Sequence, residues 1–290
     1  IANTQVLQRA LQYAATFGYS VWLRPQDAWL GKGVAASGAV ATRLGLAGVP
    51  VAAETIALST IIELVRATGA RVHLCRLSSA AGVELVRQAK KDGLPITADV
   101  SINSLMLTDV DIGYFNPAMR VTPPLRQGRD RDALQAGLAD GTIDALVSDH
   151  TPVDADEKTL PFGEATPGGT GLELLLSLAL KWAGADERDQ PEPAALRRAL
   201  SVVTQGPVKV LGEALGSLAS SAGRLVQGGV ADLVLFDPAE RWVVQPEGLI
   251  SQGKHTPFAF EITGFELAGR VRTTLVAGQV AHECPRVARA

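Results

Sequence analysis

The chain has 290 residues, 47% hydrophobic and 20% charged, with a net charge of -3. A chain of this length and mix buries a large core, and its near-neutral charge gives no electrostatic reason to expect nucleic acid or an anionic membrane as a partner. Cys75 and Cys284 are too few for a disulfide framework, and there is no signal peptide or long uncharged apolar run, so a reducing, cytoplasmic setting is expected.

The opening "IANTQVLQRALQYAATFG" enters a helical pattern at once, with apolar residues at helical spacing over 4 to 16, so the chain reads as entered mid-fold. The strand-like run "YSVWLR" then ends at Arg24. The order repeats with a helix over 51–68, a strand "RVHLCRL" at 71–77, a helix over 80–93 stopped by Gly93 and a strand "PITADVS" at 95–101. A helix near 130–140 precedes the strand "TIDALVSD" at 142–149, and helices follow over about 171–183 and 193–213. Strands alternating with helices predict parallel β/α units. Beyond about 222 the segments "ADLVLFD", "RWVV" and "GRVRTTLVAGQVAHE" predict a small β subdomain. The division expected is therefore a β/α barrel over 1–221 and a β subdomain over 222–290.

In a barrel of parallel strands, chemistry sits at the carboxyl ends of the strands. The readable ends carry Arg24 to Asp27, Arg76 to Ser79, Asp99 to Ser104, and Asp149 with His150. Strand alternation turns Arg76 and Asp149 toward the axis and His73, Cys75 and His150 away from it. His73 reads as structural and Cys75 as a small buried hydrophobe. Four histidines in the chain, with no close pair and no HxxxH face, are a poor supply for a catalytic zinc centre. No GxSxG turn, Walker loop or dinucleotide fingerprint is present.

Five stretches in order, "RLGLAGVPVAAE" (43–54), "RVHLCRLSS" (71–79), "RVTPPLR" (120–126), "SDHTPVDADEKTLPFGEATPGGTGLE" (148–173) and "ADLVLFDP" with "HTPF" (231–238, 255–258), resemble the dihydroorotase branch of the amidohydrolase superfamily. The resemblance implies a (β/α)8 TIM-type barrel, with its N-terminal strands missing from this chain. In active members a zinc-bound hydroxide opens or closes a cyclic amide and an aspartate shuttles the proton, a role the resemblance gives to Asp149.

The family's other chemical positions are changed here. Its "HVCHVS", whose second His binds metal, is "HLCRLS" with Arg76 at that point. Its "TPHHL" is "SINSL", placing Asn103 and Ser104 where histidines stand. Its substrate-binding Asn before "PPLR" is Thr122, the last His of "DHAPH" is Val153, and "APFG" is "TPGG", beginning at Thr166 and Pro167. An arginine offers no lone pair, and a unit charge ~4 Å from a divalent ion costs roughly 8 kcal/mol at an effective dielectric of ~20. Asp149 then needs a replacement cation, for which Arg76 is the first choice and Arg24 the second.

The resemblance is nearest to the inactive dihydroorotase-like subunits that accompany aspartate carbamoyltransferase in some bacteria. It implies an oligomeric, metal-free assembly subunit in pyrimidine biosynthesis. The alternative is a zinc-dependent cyclic amidohydrolase that uses Asp149, with His150 and groups outside this chain completing the site.

Overall fold

The computed structural model describes residues 3–186, 191–259 and 265–284. The chain divides into two compact units, one comprising Ile1–Glu173 with Leu249–Pro257 and the other Leu174–Gly248 with Phe258–Ala290.

The first unit is built on four parallel strands: β1 (Ser20–Leu23), β2 (Arg71–Leu74), β3 (Ile96–Ser101) and β4 (Ala145–Val147). They lie side by side in chain order, with Leu23 paired to Leu74, Leu74 to Ala98, and Ser101 to Val147. Each crossover carries helix, as parallel pairing requires. Helix α1 (Thr4–Phe17) leads into β1, α2 (Ala52–Thr68) into β2, α3 (Ala80–Lys91) into β3 and α4 (Gly128–Ala139) into β4.

Local chemistry sets these boundaries. The Asn3 side chain accepts the N–H groups of Gln5 and Val6, and Gly18 closes α1 in a left-handed conformation. Leu7, Leu11 and Ala14 form its buried stripe. Ser79 caps α3 by accepting the Gly82 N–H. The expected stop at Gly93 holds: its φ is 75°, which a glycine adopts without cost.

The strands end sooner than their apolar runs. β2 stops at Leu74 and not at 77, and β4 at Val147 and not at 149, because Arg76 (φ 60°) and Asp149 (φ 48°) leave extended geometry. The four strands present an open parallel sheet, and no closed barrel is present among the described residues.

In the second unit, β5 (Leu233–Val243), β6 (Glu266–Val276) and β7 (Gln279–Glu283) form an antiparallel sheet. Helix α5 (Leu175–Trp182) packs on it: the Ser177 hydroxyl donates to the Gly269 carbonyl at 2.9 Å and accepts from the Trp242 indole at 3.3 Å. These contacts group the helices after 174 with the C-terminal strands, whereas the change of texture near 222 falls inside this unit. The helix expected over 193–213 is two, α6 (Pro193–Ser201) and α7 (Gln205–Leu211). Pro207 accounts for the break, since its ring would clash with the carbonyl four residues back and it has no N–H to donate.

No helix among the described residues is long and apolar enough to cross a membrane.

Candidate functional site

Each strand of the parallel sheet delivers one polar side chain just past its carboxyl end. Arg24 follows β1 directly, and Arg76, Asn103 and Asp149 each stand two residues beyond the last residue of β2, β3 and β4. All four line one pocket of about 520 Å³, together with Gln26, Arg120, Thr122, Thr151, Pro167 and Gly168.

Arg76 and Asp149 form its centre. The Arg76 Nη1 donates to Asp149 Oδ1 at 2.6 Å and to the Thr122 carbonyl at 3.2 Å. The Asp149 side chain is 7% exposed and that of Arg76 28%. Asn103, itself buried, lines the same pocket, and its side-chain amide favours the Asp149 anion. Burial still wins: it pushes the Asp149 carboxyl above its usual range, against the Arg76 charge and the hydrogen bonds that favour the anion.

Both members of the pair hold left-handed backbone, a conformation that costs a non-glycine residue of order 1–3 kcal/mol. Arg76 is held there by Asp99, which is 3% exposed and accepts the Arg76 backbone N–H at 2.7 Å. The other oxygen of Asp99 faces His73 Nε2 at 2.9 Å, while His73 Nδ1 meets the Thr97 hydroxyl at 2.8 Å. A ring nitrogen facing a carboxylate carries the proton, so Nδ1 is the acceptor from Thr97. His73 thus spends both nitrogens on the scaffold of Arg76.

The first three sequence motifs meet at a buried cluster around Glu54. Glu54 (4% exposed) accepts the backbone N–H and hydroxyl groups of both Ser78 and Ser79, and Arg126 donates through Nε to the Ser78 hydroxyl at 2.9 Å. Burial raises the Glu54 carboxyl above its usual range, opposed by the Arg126 charge and by the serine hydrogen bonds. Gly82 makes this close approach possible, because a Cβ there would collide with Glu54 Oε1.

Of the positions singled out from sequence, Arg76, Asp149, Arg24, Asn103, Thr122 and Pro167 converge on the pocket. Ser104, Val153 and Thr166 do not line it. Ser104 points into the core, where its buried hydroxyl has no partner among the described residues, and Val153 is 7% exposed and packs near Gly168. The ion pair of Asp149 is with Arg76, the first choice; Arg24 shares the pocket without an ion pair to Asp149. His150 turns away, as alternation suggests, and its Nδ1 accepts the N–H groups of Gly171 and Leu172 at 3.3 and 3.4 Å.

Sequence reasoning missed Arg120 and Lys158. Arg120 lines the pocket. Lys158 is 3% exposed and donates to the carbonyls of Pro117 and Arg120, each at 2.9 Å. Burial, then the Arg120 charge, brings Lys158 down to about 8.

Zinc does not fit this pocket as it stands. Its lining contains no His or Cys, its one carboxylate is held by Arg76, and three guanidinium groups face the same space. Among the described residues the group of His, Cys, Asp or Glu close enough to share an ion is His73, Cys75 and Asp99, with ligand atoms within 4.8 Å of one another. His73 and Asp99 are committed to the hydrogen bonds above. Burial, then the Asp99 charge, pushes the Cys75 thiol up to about 11.

No protein-family model matches the chain. Over 283 residues it is 42% identical to a dihydroorotase-like protein of Pseudomonas aeruginosa, covering 97% of this chain and 63% of that protein. It is 38% identical over 286 residues to a dihydroorotase of Anaeromyxobacter sp., covering 98% of this chain and 62% of the relative. The chain therefore spans under two thirds of the length of these relatives. Among solved structures, a dihydropyrimidinase from Brevibacillus agri superposes with a TM-score of 0.80 at 20% identity, over 98% of this chain and 61% of that one. An L-hydantoinase from Arthrobacter aurescens gives 0.79 at 24% identity, over 97% and 61%. At these identities the likeness establishes the fold, the β/α barrel of the amidohydrolases, of which the parallel sheet is part.

Proposed function

Because the chain belongs to the dihydroorotase-like branch of the amidohydrolases, we propose that it is a barrel that has lost catalysis and serves as an assembly subunit for aspartate carbamoyltransferase in pyrimidine biosynthesis. The observation that carries the first half is the Arg76–Asp149 ion pair, with Nη1 and Oδ1 at 2.6 Å. A proton shuttle must exchange its proton with a metal-activated nucleophile and with substrate. Here Asp149 is instead locked by a group that stays protonated at any working pH.

The partner is inferred from the family resemblance, since fold alone does not decide function. What favours assembly over sensing of the family's own substrate is the change of residues at its substrate positions, with Thr122 where the family has Asn and "TPGG" at 166–169 where it has "APFG". A working barrel would have to draw its metal ligands from elsewhere and displace Arg76 from Asp149.

Co-expression of the full-length protein with the carbamoyltransferase catalytic chain tests the reading. The expected result is a stoichiometric complex whose transferase is more stable than the catalytic chain alone. Absence of a complex at micromolar concentrations contradicts the assembly role.

A further inference from the structure

The same pocket carries more positive charge than its ion pair uses. Arg24, Arg76 and Arg120 line it, and Asp149 is its one acidic lining residue. Asp149 is engaged by Arg76. Neither Arg24 nor Arg120 has an ion pair among the described residues, and the buried Nε of Arg120 has no hydrogen-bond partner among them. Lys158, itself buried, adds a cation against Arg120, held by carbonyls and not by a carboxylate. The site thus has a surplus of two guanidinium charges before Lys158 is counted.

The buried Nε of Arg120 is a donor whose burial is costly unless an acceptor reaches it, while Arg24 stands exposed at the same recess. Cations lining a concave site focus their field into it and raise the local concentration of anions. Guanidinium forks match the paired oxygens of carboxylates and phosphates. The recess of about 520 Å³ is the size of a small-molecule site, and Val121, Pro167 and Gly168 give it neutral walls. Thr151 stands at the same wall as a neutral hydrogen-bonding group.

We propose that this pocket binds a small dianion, a dicarboxylate or a phosphate, with its oxygens received by Arg24 and Arg120 while Arg76 stays with Asp149. This goes beyond the assembly role and is separable from it, because a barrel without catalysis can keep or lose such a site without losing its partner.

Isothermal titration of the full-length protein at low salt, with succinate and with inorganic phosphate as probes, tests it. One or both should bind at a single site. Phosphate binding alone assigns a phosphorylated ligand, and succinate binding alone assigns a dicarboxylate. Arg24→Gln, at an exposed position expected to leave the fold intact, and Arg120→Gln should each weaken binding by about tenfold or more. Arg197→Gln, exposed on α6 in the other unit, should change nothing. Failure of both probes to bind, or binding that is the same in the Arg24→Gln and Arg120→Gln proteins as in the parent, overturns the proposal.

Discussion

Arg76 and Asp149 sit 73 positions apart in sequence, each two residues past the end of its own strand, each in left-handed backbone, with Nη1 and Oδ1 at 2.6 Å. The two turns aim the side chains at each other across β3. Asp99, through the Arg76 N–H, and the Thr122 carbonyl, through the Arg76 Nη1, supply the hydrogen bonds that fix this arrangement.

The pair should behave as a coupled unit. Removing one member leaves the other charged and largely desolvated, which is more damaging than removing both. Arg76→Met and Asp149→Asn should each destabilise, and the double variant should be more stable than the sum of the two losses predicts, with a coupling of about 1–3 kcal/mol. Urea denaturation of the four proteins gives the coupling directly. Additive losses would mean that the ion pair contributes nothing to the fold.

Glu54 is the second buried charge whose partners are fully specified. Glu54→Ala should cost about 3–5 kcal/mol, since it strands the Ser78 and Ser79 donors and leaves Arg126 without its counter-charge. Glu54→Gln keeps the shape and removes the charge. Its effect should depend on pH with a definite sign. A carboxyl raised on folding stabilises most when protonated, so the parent should gain on Glu54→Gln as pH falls from neutral toward the ordinary carboxylate range, and lose that advantage as pH rises through the raised value. Denaturation midpoints of the two proteins across that range check it; parallel curves would contradict it.

Lys158 should give the opposite signature at alkaline pH. With its ammonium held down to about 8, below its ordinary 10.5, the unfolded chain binds more protons than the folded one between these values. The stability contribution of Lys158 is therefore present above 10.5 and lost as pH falls through about 8. The parent should gain stability relative to Lys158→Met on raising the pH across that window. Thermal melts of both proteins in matched buffers report it, and a constant difference would place the lysine in water.

Cys75 should be inert. A thiol raised to about 11 has little thiolate at neutral pH, and thiolate is the reactive form. In the native protein, iodoacetamide should modify Cys75 only on unfolding, followed by peptide mapping. Rapid native labelling would show that the thiol is not held half-buried beside Asp99.

Much of this architecture is legible in the sequence. Helix and strand periodicities place β1 to β4 in the right order, and Gly93 ends its helix as read. Alternation along the strands separates Arg76 and Asp149 from His73 and His150. The strand ends are over-read because an apolar run does not report φ: "RVHLCRL" looks extended to Leu77, but Asp99 bends the chain at Arg76. Pro207 is a visible breaker inside the helix read over 193–213, and its position explains the split. Ser104 and Val153 are misplaced because a motif position says nothing about which side of a turn a residue occupies. Arg120 lies between Met119 and Val121, both 2% exposed, and only the folding of its loop over the sheet brings it beside Arg24 and Arg76. Glu54 and Arg126 belong to separate motifs whose meeting is a tertiary event.

On the proposed reading, Asp149 no longer acts as a proton shuttle. Dihydroorotate hydrolysis by the full-length protein, assayed with zinc supplied and with bound metal quantified, tests it most directly when parent and Asp149→Ala are compared. No turnover above the uncatalysed rate in either protein and no stoichiometric zinc are expected. Stoichiometric zinc with turnover that disappears in Asp149→Ala would contradict it.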